Sequence, residues 1–480
     1  MIYATIPLLV ALLCVWLGQR LLTVVVIFAY LSVEGLLKLL SNYNPIVHVG
    51  MDIIVLSVAG AWAVEAIAAH RAHIPQLPWV RAIGLYALWI GLELFNPYSP
   101  GFVPSLAAFK AHLTMIPLYF IVAAVLRRKE DVVRLFVALA VIALVPYVTA
   151  LVQYTLGPSS VLDLSPRYWQ NISMYHEWRP FGTSAVPGGA SVFALMVTPL
   201  AVVPLTVARL PSRMRWLMVL SLVLAAGTFI VSGVRQAFLG CVLALLVMAA
   251  LTVSRGRGRG LLAVLLVFVL GFGAYVGIQT FLQPISVERV RNDPRSPAIW
   301  RERSVTERMR SLTRAGTYLE ARQGAVGTIV RRATTYPFGA GLGRTGSGAG
   351  TFAAQLTATA QSAAIQEQVG WADNYFADEL TDAGIPGLLI MCTIVGGFLF
   401  GAARLARRAR DPIISGSAAA IAGLLVTLVV VSWGSQPLLN NPTLAYFWLL
   451  AGVLAALRRL DAEARAVPAA AAAAEYTAVA

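Results

Sequence analysis

Thirteen apolar runs set the limits on what this chain can fold into: residues 2–18, 21–40, 50–69, 80–96, 103–126, 132–156, 187–208, 215–233, 236–254, 260–282, 384–405, 413–435 and 442–459. They are of the order of the roughly 17–25 residues that an α-helix needs to cross a hydrocarbon core. The composition agrees. Of 480 residues, 58% are hydrophobic and 12% charged, whereas a soluble domain carries about 25% charged residues. A cytosolic enzyme, a fibre and a disordered chain are excluded. The expectation is an all-α polytopic membrane protein with about 12–13 transmembrane helices, the count turning on the closely spaced first pair. The first run lacks a basic segment ahead of it and leads straight into the second, so we expect a span there and not a cleaved signal.

The net charge is +15. In a soluble protein this excess would suggest nucleic acid. Its placement here points to a lipid bilayer and to no nucleic-acid partner. Connectors at Arg20, at Arg71 and Arg81, and at 127–134, 209–215, 255–259, 404–410 and 458–465 hold 20 cations, while the alternate short connectors hold three: Arg167, Arg179 and Arg235. The positive-inside rule puts the first set in the cytoplasm. The C-terminus is then cytoplasmic and the N-terminus outside. The expected organisation is helices 1–10 over residues 1–283, with a short external loop at 157–186; a long, partly helical external loop at 284–383; the last three helices over 384–460; and an Ala-rich cytoplasmic tail at 461–480. Beyond Pro468 that tail is low in complexity and is expected to fray.

Long external segments between tightly connected spans tend to carry function. The 284–383 loop is electrically split. Its stretch from 284 to 344 has 12 arginines, while from 345 to 383 there is no cation but five acids, among them Asp373, Asp378, Glu379 and Asp382. Helix is expected over 298–335, then a glycine-rich break, then a short helix over 373–383 ending at Gly384. Ionisable residues within spans are costly and mark function by default. Glu34, Lys38, Asp52, Glu93, Lys110 and His112 fall in or near the outer half, and Glu65 lies nearer the cytoplasm. The competing reading is that they pair with one another, as Glu34 and Lys38 would at i,i+4. Cys14, Cys241 and Cys392 lie in apolar spans and match no metal or disulfide spacing. Gly341–Gly346 fits G-x-G-x-x-G, but no strand precedes it, so it carries no nucleotide reading. No metal site is expected.

Four pieces on the outer face occur in a telling order. They are Arg179-Pro180-Phe181-Gly182; Ser232-Gly233-Val234-Arg235; Arg322 followed by Pro337-Phe338-Gly339-Ala340-Gly341; and Asp373-Asn374-Tyr375 followed by Glu379 to Gly387. The set resembles the O-antigen ligase and polymerase superfamily over roughly 175–390. The resemblance implies an inverting membrane glycosyltransferase on the outer face of a bacterial cytoplasmic (inner) membrane. Its donor is an undecaprenyl-diphosphate-linked glycan, its acceptor a second glycan, and it needs neither a nucleotide sugar nor a cofactor. The implied product is a surface polysaccharide, with a chain-length regulator as a further partner. Asp373, Arg322 and Arg235 would be catalytic. Arg179, Lys110, His112, Arg331, Arg332, Asn374, Asp378 and Glu379 would bind substrate. Asp373 stands where ligases of the family carry a histidine, which favours polymerisation over transfer of finished glycan by a ligase.

The chemistry suits these residue types independently. A diphosphate leaving group develops negative charge, and guanidinium groups are planar, permanently charged and bidentate toward phosphate. The acceptor hydroxyl needs a group to take its proton. The competing role for Asp373 is capping the helix that follows. From another class, a polysaccharide transporter or flippase would place functional charge on both sides of the midplane and show an internal repeat, and neither is seen. An enzyme using polyprenyl monophosphate sugars would carry an acidic pair in its first external loop, and Ser41 to Val49 holds no acid.

Overall fold

The computed structural model describes residues 2–41, 44, 47, 49–68, 77–157, 159–162, 164, 179–252, 273, 326–327, 329–345 and 374–479. Among the described residues there are fifteen helices: α1 (Ile2–Trp16), α2 (Arg20–Leu40), α3 (Gly50–Ala68), α4 (Val80–Glu93), α5 (Phe102–Leu113), α6 (Pro117–Val125), α7 (Lys129–Ile142), α8 (Leu144–Leu156), α9 (Ser159–Leu162), α10 (Ala190–Val207), α11 (Ser212–Ser232), α12 (Arg235–Thr252), α13 (Tyr375–Arg408), α14 (Pro412–Val431) and α15 (Thr443–Val479). Residues 329–335 are also helical. Among the described residues there is no strand, and nine helical stretches are long and apolar enough to cross a membrane. The chain is an all-α, multi-pass membrane protein. Twelve of the thirteen apolar runs fall on these helices, with α5–α6 and α7–α8 each serving one run; the run at 260–282 lies outside the described residues except for residue 273.

Lipid offers no partner to a free backbone group, so each helix satisfies its own, and close packing replaces hydrophobic exclusion as the glue between helices. The innermost helices are α10, α14 and α15, whose apolar stretches are 78%, 78% and 83% buried, against 33% for α11, which faces outward. The α12–α14 seam shows how they fit. Gly423 sits so close to α12 that a Cβ there would lie 2.3 Å from the Ala244 carbonyl oxygen. Thr427 Oγ1 donates to the Gly240 carbonyl across the same seam at 2.8 Å.

The two ends of the bundle differ. At one end Arg20 pairs with Glu65 at 2.7 Å, Lys129 with Asp411 at 2.6 Å, and Arg458 lies 4.9 Å over the Trp79 ring. Asp411 caps α14, accepting from Ile413 N and Ile414 N. Burial works to raise its carboxyl, but Lys129 and those two amides outweigh it and hold it below the usual aspartate range. Through the Ala-rich tail α15 continues as helix to Val479, in line with alanine's being the best helix former.

Candidate functional site

The opposite end is built around a break in α13. Gly384 takes φ +67, and a Cβ there would fall 2.3 Å from the Phe338 carbonyl carbon, so only glycine fits. The break frees backbone groups that other elements must satisfy. Ile385 N donates to the Pro337 carbonyl at 2.8 Å, Ala340 N to the Thr381 carbonyl at 2.7 Å, and Trp89 Nε1 of α4 to the Ala383 carbonyl at 2.7 Å. The segment Tyr336–Thr345 is thereby laid along the outer stretch of α13. Its other edge meets the α4–α5 turn and the start of α5, where Asn96 Nδ2 donates to the Gly339 carbonyl at 3.3 Å and Ser105 Oγ to the Leu342 carbonyl at 3.0 Å. Asn96 also donates to Glu93 Oε2 at 2.7 Å. The short helix expected over 373–383 with a stop at Gly384 is therefore present from Tyr375, and its cap is Asn374, whose Oδ1 accepts from Ala377 N.

Asp378, Glu379 and Asp382 project from this stretch, and each is spoken for. Asp382 accepts from Thr345 N at 3.0 Å, Thr345 Oγ1 at 2.9 Å and Gly343 N at 3.3 Å. His112 Nε2 stands 4.0 Å from Asp382 Oδ2. Glu379 accepts from Tyr86 at 3.0 Å and from Tyr375 at 3.1 Å. The Tyr86 hydroxyl has one proton, which that contact uses, so the 2.8 Å approach of His112 Nδ1 makes the ring nitrogen its donor. Asp378 accepts from Gln436 and lies 3.4 Å from Arg332, whose Nη1 also donates to Thr381 Oγ1 at 2.8 Å and to the Ala377 carbonyl at 3.0 Å. His112, Asp378 and Glu379 are 3%, 1% and 0% exposed. At that burial they hold the loop and the helix together and offer a bulky ligand no direct surface.

Arginines flank this network. The Ser232–Arg235 turn between α11 and α12 touches the turn after α14, where Gln236 Nε2 donates to the Gly434 carbonyl at 3.2 Å. That second turn receives the start of α13: Tyr375 N donates to the Ser432 carbonyl at 3.0 Å and Asn374 Nδ2 to the Trp433 carbonyl at 3.3 Å. Arg179 lies on the other side of the first turn. A Cβ on Gly188 would meet Val234 Cγ2 at 2.4 Å and Arg179 Cδ at 3.5 Å. Arg179, Arg235 and Arg332 are each partly exposed, and Arg331 is exposed.

The expected site residues therefore divide. His112, Arg332, Asn374, Asp378 and Glu379 share one bonded network, and Arg179 and Arg235 border it. Lys110 is instead ion-paired with Asp52 at 2.7 Å, beside Thr114. Glu34 pairs with Lys38 at 2.9 Å and Glu65 with Arg20. These three pairs follow the competing reading, that intramembrane charges neutralise each other. Arg322 and Asp373 lie outside the described residues, as does most of the 298–335 helix. Sequence reasoning missed Tyr86, Thr345 and Gln436, and counted Asp382 among the loop acids without giving it a role of its own. Tyr86 and Gln436 carry no local signal beyond being polar in apolar surroundings. Among the described residues no cluster of His, Cys, Asp and Glu is arranged to hold a metal ion. Compared with protein-family models and with curated proteins, the chain matches none.

Proposed function

We propose that this chain is an integral-membrane glycosyltransferase that polymerises polyprenyl-diphosphate-linked oligosaccharide repeat units on the outer face of a bacterial cytoplasmic membrane. The observation that carries the reading is a chain of contacts at the end of the bundle away from the basic clusters: the Ser232–Arg235 turn, with Arg179 on its far side, packs on the turn after α14 that receives Asn374 and Tyr375, and Arg332 pairs with Asp378 on the same helix. By the positive-inside rule that end is external. Arg235 and Arg179 grip the diphosphate, joined by Arg322 from the long loop. The acceptor hydroxyl attacks the anomeric carbon from the face opposite the diphosphate. The carbon–oxygen bond to the carrier breaks, the polyprenyl diphosphate leaves with the bonding electrons, and the hydroxyl proton passes to a carboxylate. Asp373 takes that proton, because Asp378 and Glu379 are buried and engaged. The buried network keeps the loop and helix in register beneath the reacting groups.

The test replaces Arg235 and Arg322 by alanine singly and reads surface glycan on gels, with membrane insertion checked by immunoblot. Each variant should lose about 10²–10³ in transfer rate, the usual cost of a donor aimed at developing charge. Polymer of normal length in both would overturn the diphosphate clamp. In a deletion strain, single capped repeat units support polymerisation, and long chains left on the carrier indicate a ligase.

A further inference from the structure

The end of the bundle that carries the basic clusters holds a second feature, which the proposed transfer reaction does not use. A cavity of about 420 Å³ opens between α2, α6, the turn after α6 and α15, lined by Arg20, Leu77, Ala123, Arg127, Arg459 and Glu463. Its three guanidinium groups differ in how they are held. Arg459 is fixed: its Nη1 donates to the Ala123 carbonyl at 3.0 Å and its Nη2 to the Leu126 carbonyl at 2.7 Å, at the C-terminal end of α6, with Glu463 at 3.7 Å. Arg20 leans on Glu65 at 2.7 Å, and both groups remain solvated. Arg127 has no hydrogen bond or ion pair among the described residues, and it is exposed. Against these three cations stand two carboxylates, Glu65 and Glu463, so the cavity keeps a net positive charge and one uncommitted guanidinium.

The surroundings say what kind of anion fits. Trp16 and Leu17, just before Arg20, are 81% and 56% exposed, and Val64 and Ile67, on either side of Glu65, are 66% and 68% exposed. The mouth of the cavity is thus continuous with an apolar wall at the level where span meets water. A ligand with a phosphate at one end and hydrocarbon at the other satisfies both halves, and basic pockets between transmembrane helices on the cytoplasmic side are suited to anionic headgroups. We propose that this cavity binds the phosphate of an anionic glycerophospholipid of the inner leaflet. Arg127 and Arg20 make the charge contacts, Arg459 forms the preset floor, and the acyl chains lie along Trp16, Leu17, Val64 and Ile67.

The test is thermal stabilisation of the purified full-length protein in detergent micelles, titrated separately with phosphatidylglycerol, phosphatidylcholine and inorganic phosphate. Phosphatidylglycerol alone should stabilise the wild type. Half-saturation should rise about fivefold in Arg127→Ala and about 25-fold in Arg20→Ala/Arg127→Ala, following the weight of one basic side chain near an anionic lipid surface. The Arg213→Ala/Arg215→Ala variant removes the same charge from the same end without touching the cavity and should titrate as wild type. Equal stabilisation by inorganic phosphate would make this a free-anion site and overturn the lipid assignment. Equal stabilisation by phosphatidylcholine, or an equal loss in the Arg213/Arg215 variant, would reduce it to unspecific adsorption and overturn the site. If the Arg20/Arg127 double variant does not fold, Arg127→Ala decides alone, since it breaks no contact within the described protein.

Discussion

Asp382 is the residue whose removal most directly tests how the external site is held. Its side chain is buried and accepts three hydrogen bonds from the 343–345 segment: Thr345 N at 3.0 Å, Thr345 Oγ1 at 2.9 Å and Gly343 N at 3.3 Å. In Asp382→Ala the hydroxyl can turn elsewhere, but the two backbone donors cannot. A buried donor left without an acceptor costs about 1–3 kcal/mol. Two of them, partly relieved by water entering the vacated volume, come to about 2–4 kcal/mol for the local opening of this segment. At 1.4 kcal/mol per factor of ten, amide exchange at Gly343 and Thr345 should speed up by about 30- to 700-fold, while the inner helices α10 and α14 exchange as before. Asp382→Asn keeps one oxygen for Thr345 but turns an amide N–H₂ toward Gly343 N or His112, so it should fall between wild type and alanine. The assay is hydrogen–deuterium exchange with mass spectrometry on the full chain in micelles. Unchanged exchange at Gly343 and Thr345 in Asp382→Ala would refute the clamp, because among the described residues no other side chain accepts from those amides.

Arg332→Ala should destabilise by about 1–3 kcal/mol, since it leaves the buried Asp378 side chain without its guanidinium donor; Arg332→Lys should rescue little in the same melt, because an ammonium cannot span Asp378, Thr381 and the Ala377 carbonyl together. Gly423→Leu forces α14 away from the Ala244 carbonyl, and even the first added carbon would sit at 2.3 Å; overpacking of this kind costs about 1–3 kcal/mol or more and should lower the melting temperature of purified protein. Asp411 gives a pH signature. Its carboxyl is held below the ordinary aspartate value of 3.8 in the fold, so it contributes stability above that value and loses it as pH falls through the lower folded one. Melting curves from pH 6 down to pH 3 should therefore fall less steeply in Asp411→Asn than in wild type, and parallel curves would show that the Lys129–Asp411 pair and the α14 cap add nothing.

Several features were open to a reading of the chain as text. The Gly384 break was legible because glycine followed by proline at 386 punctuates any helix, and the Glu34–Lys38 pair because i,i+4 is a neighbour distance along one helix. The cap was off by one residue: Asn374, not Asp373, starts the helix, a choice between two good capping residues that backbone geometry settles. The network around Glu379 was not legible. Tyr86 and Glu379 are 293 positions apart and His112 and Asp382 are 270 apart, and no local pattern in either segment names its partner. Nor was it visible that Lys110 would go to Asp52 while His112, two residues on, would face the carboxylates of α13.

The sequence alone determined that this is a bundle of membrane-crossing helices with one cation-rich end. Run length and the alternation of basic connectors are properties along the chain, and the bilayer reads them directly. Tertiary structure alone decided which polar groups were neutralised in pairs and which were gathered under the glycine loop. Inside a low-dielectric bundle every charge must find a partner, and which one it finds depends on which helix faces pack together.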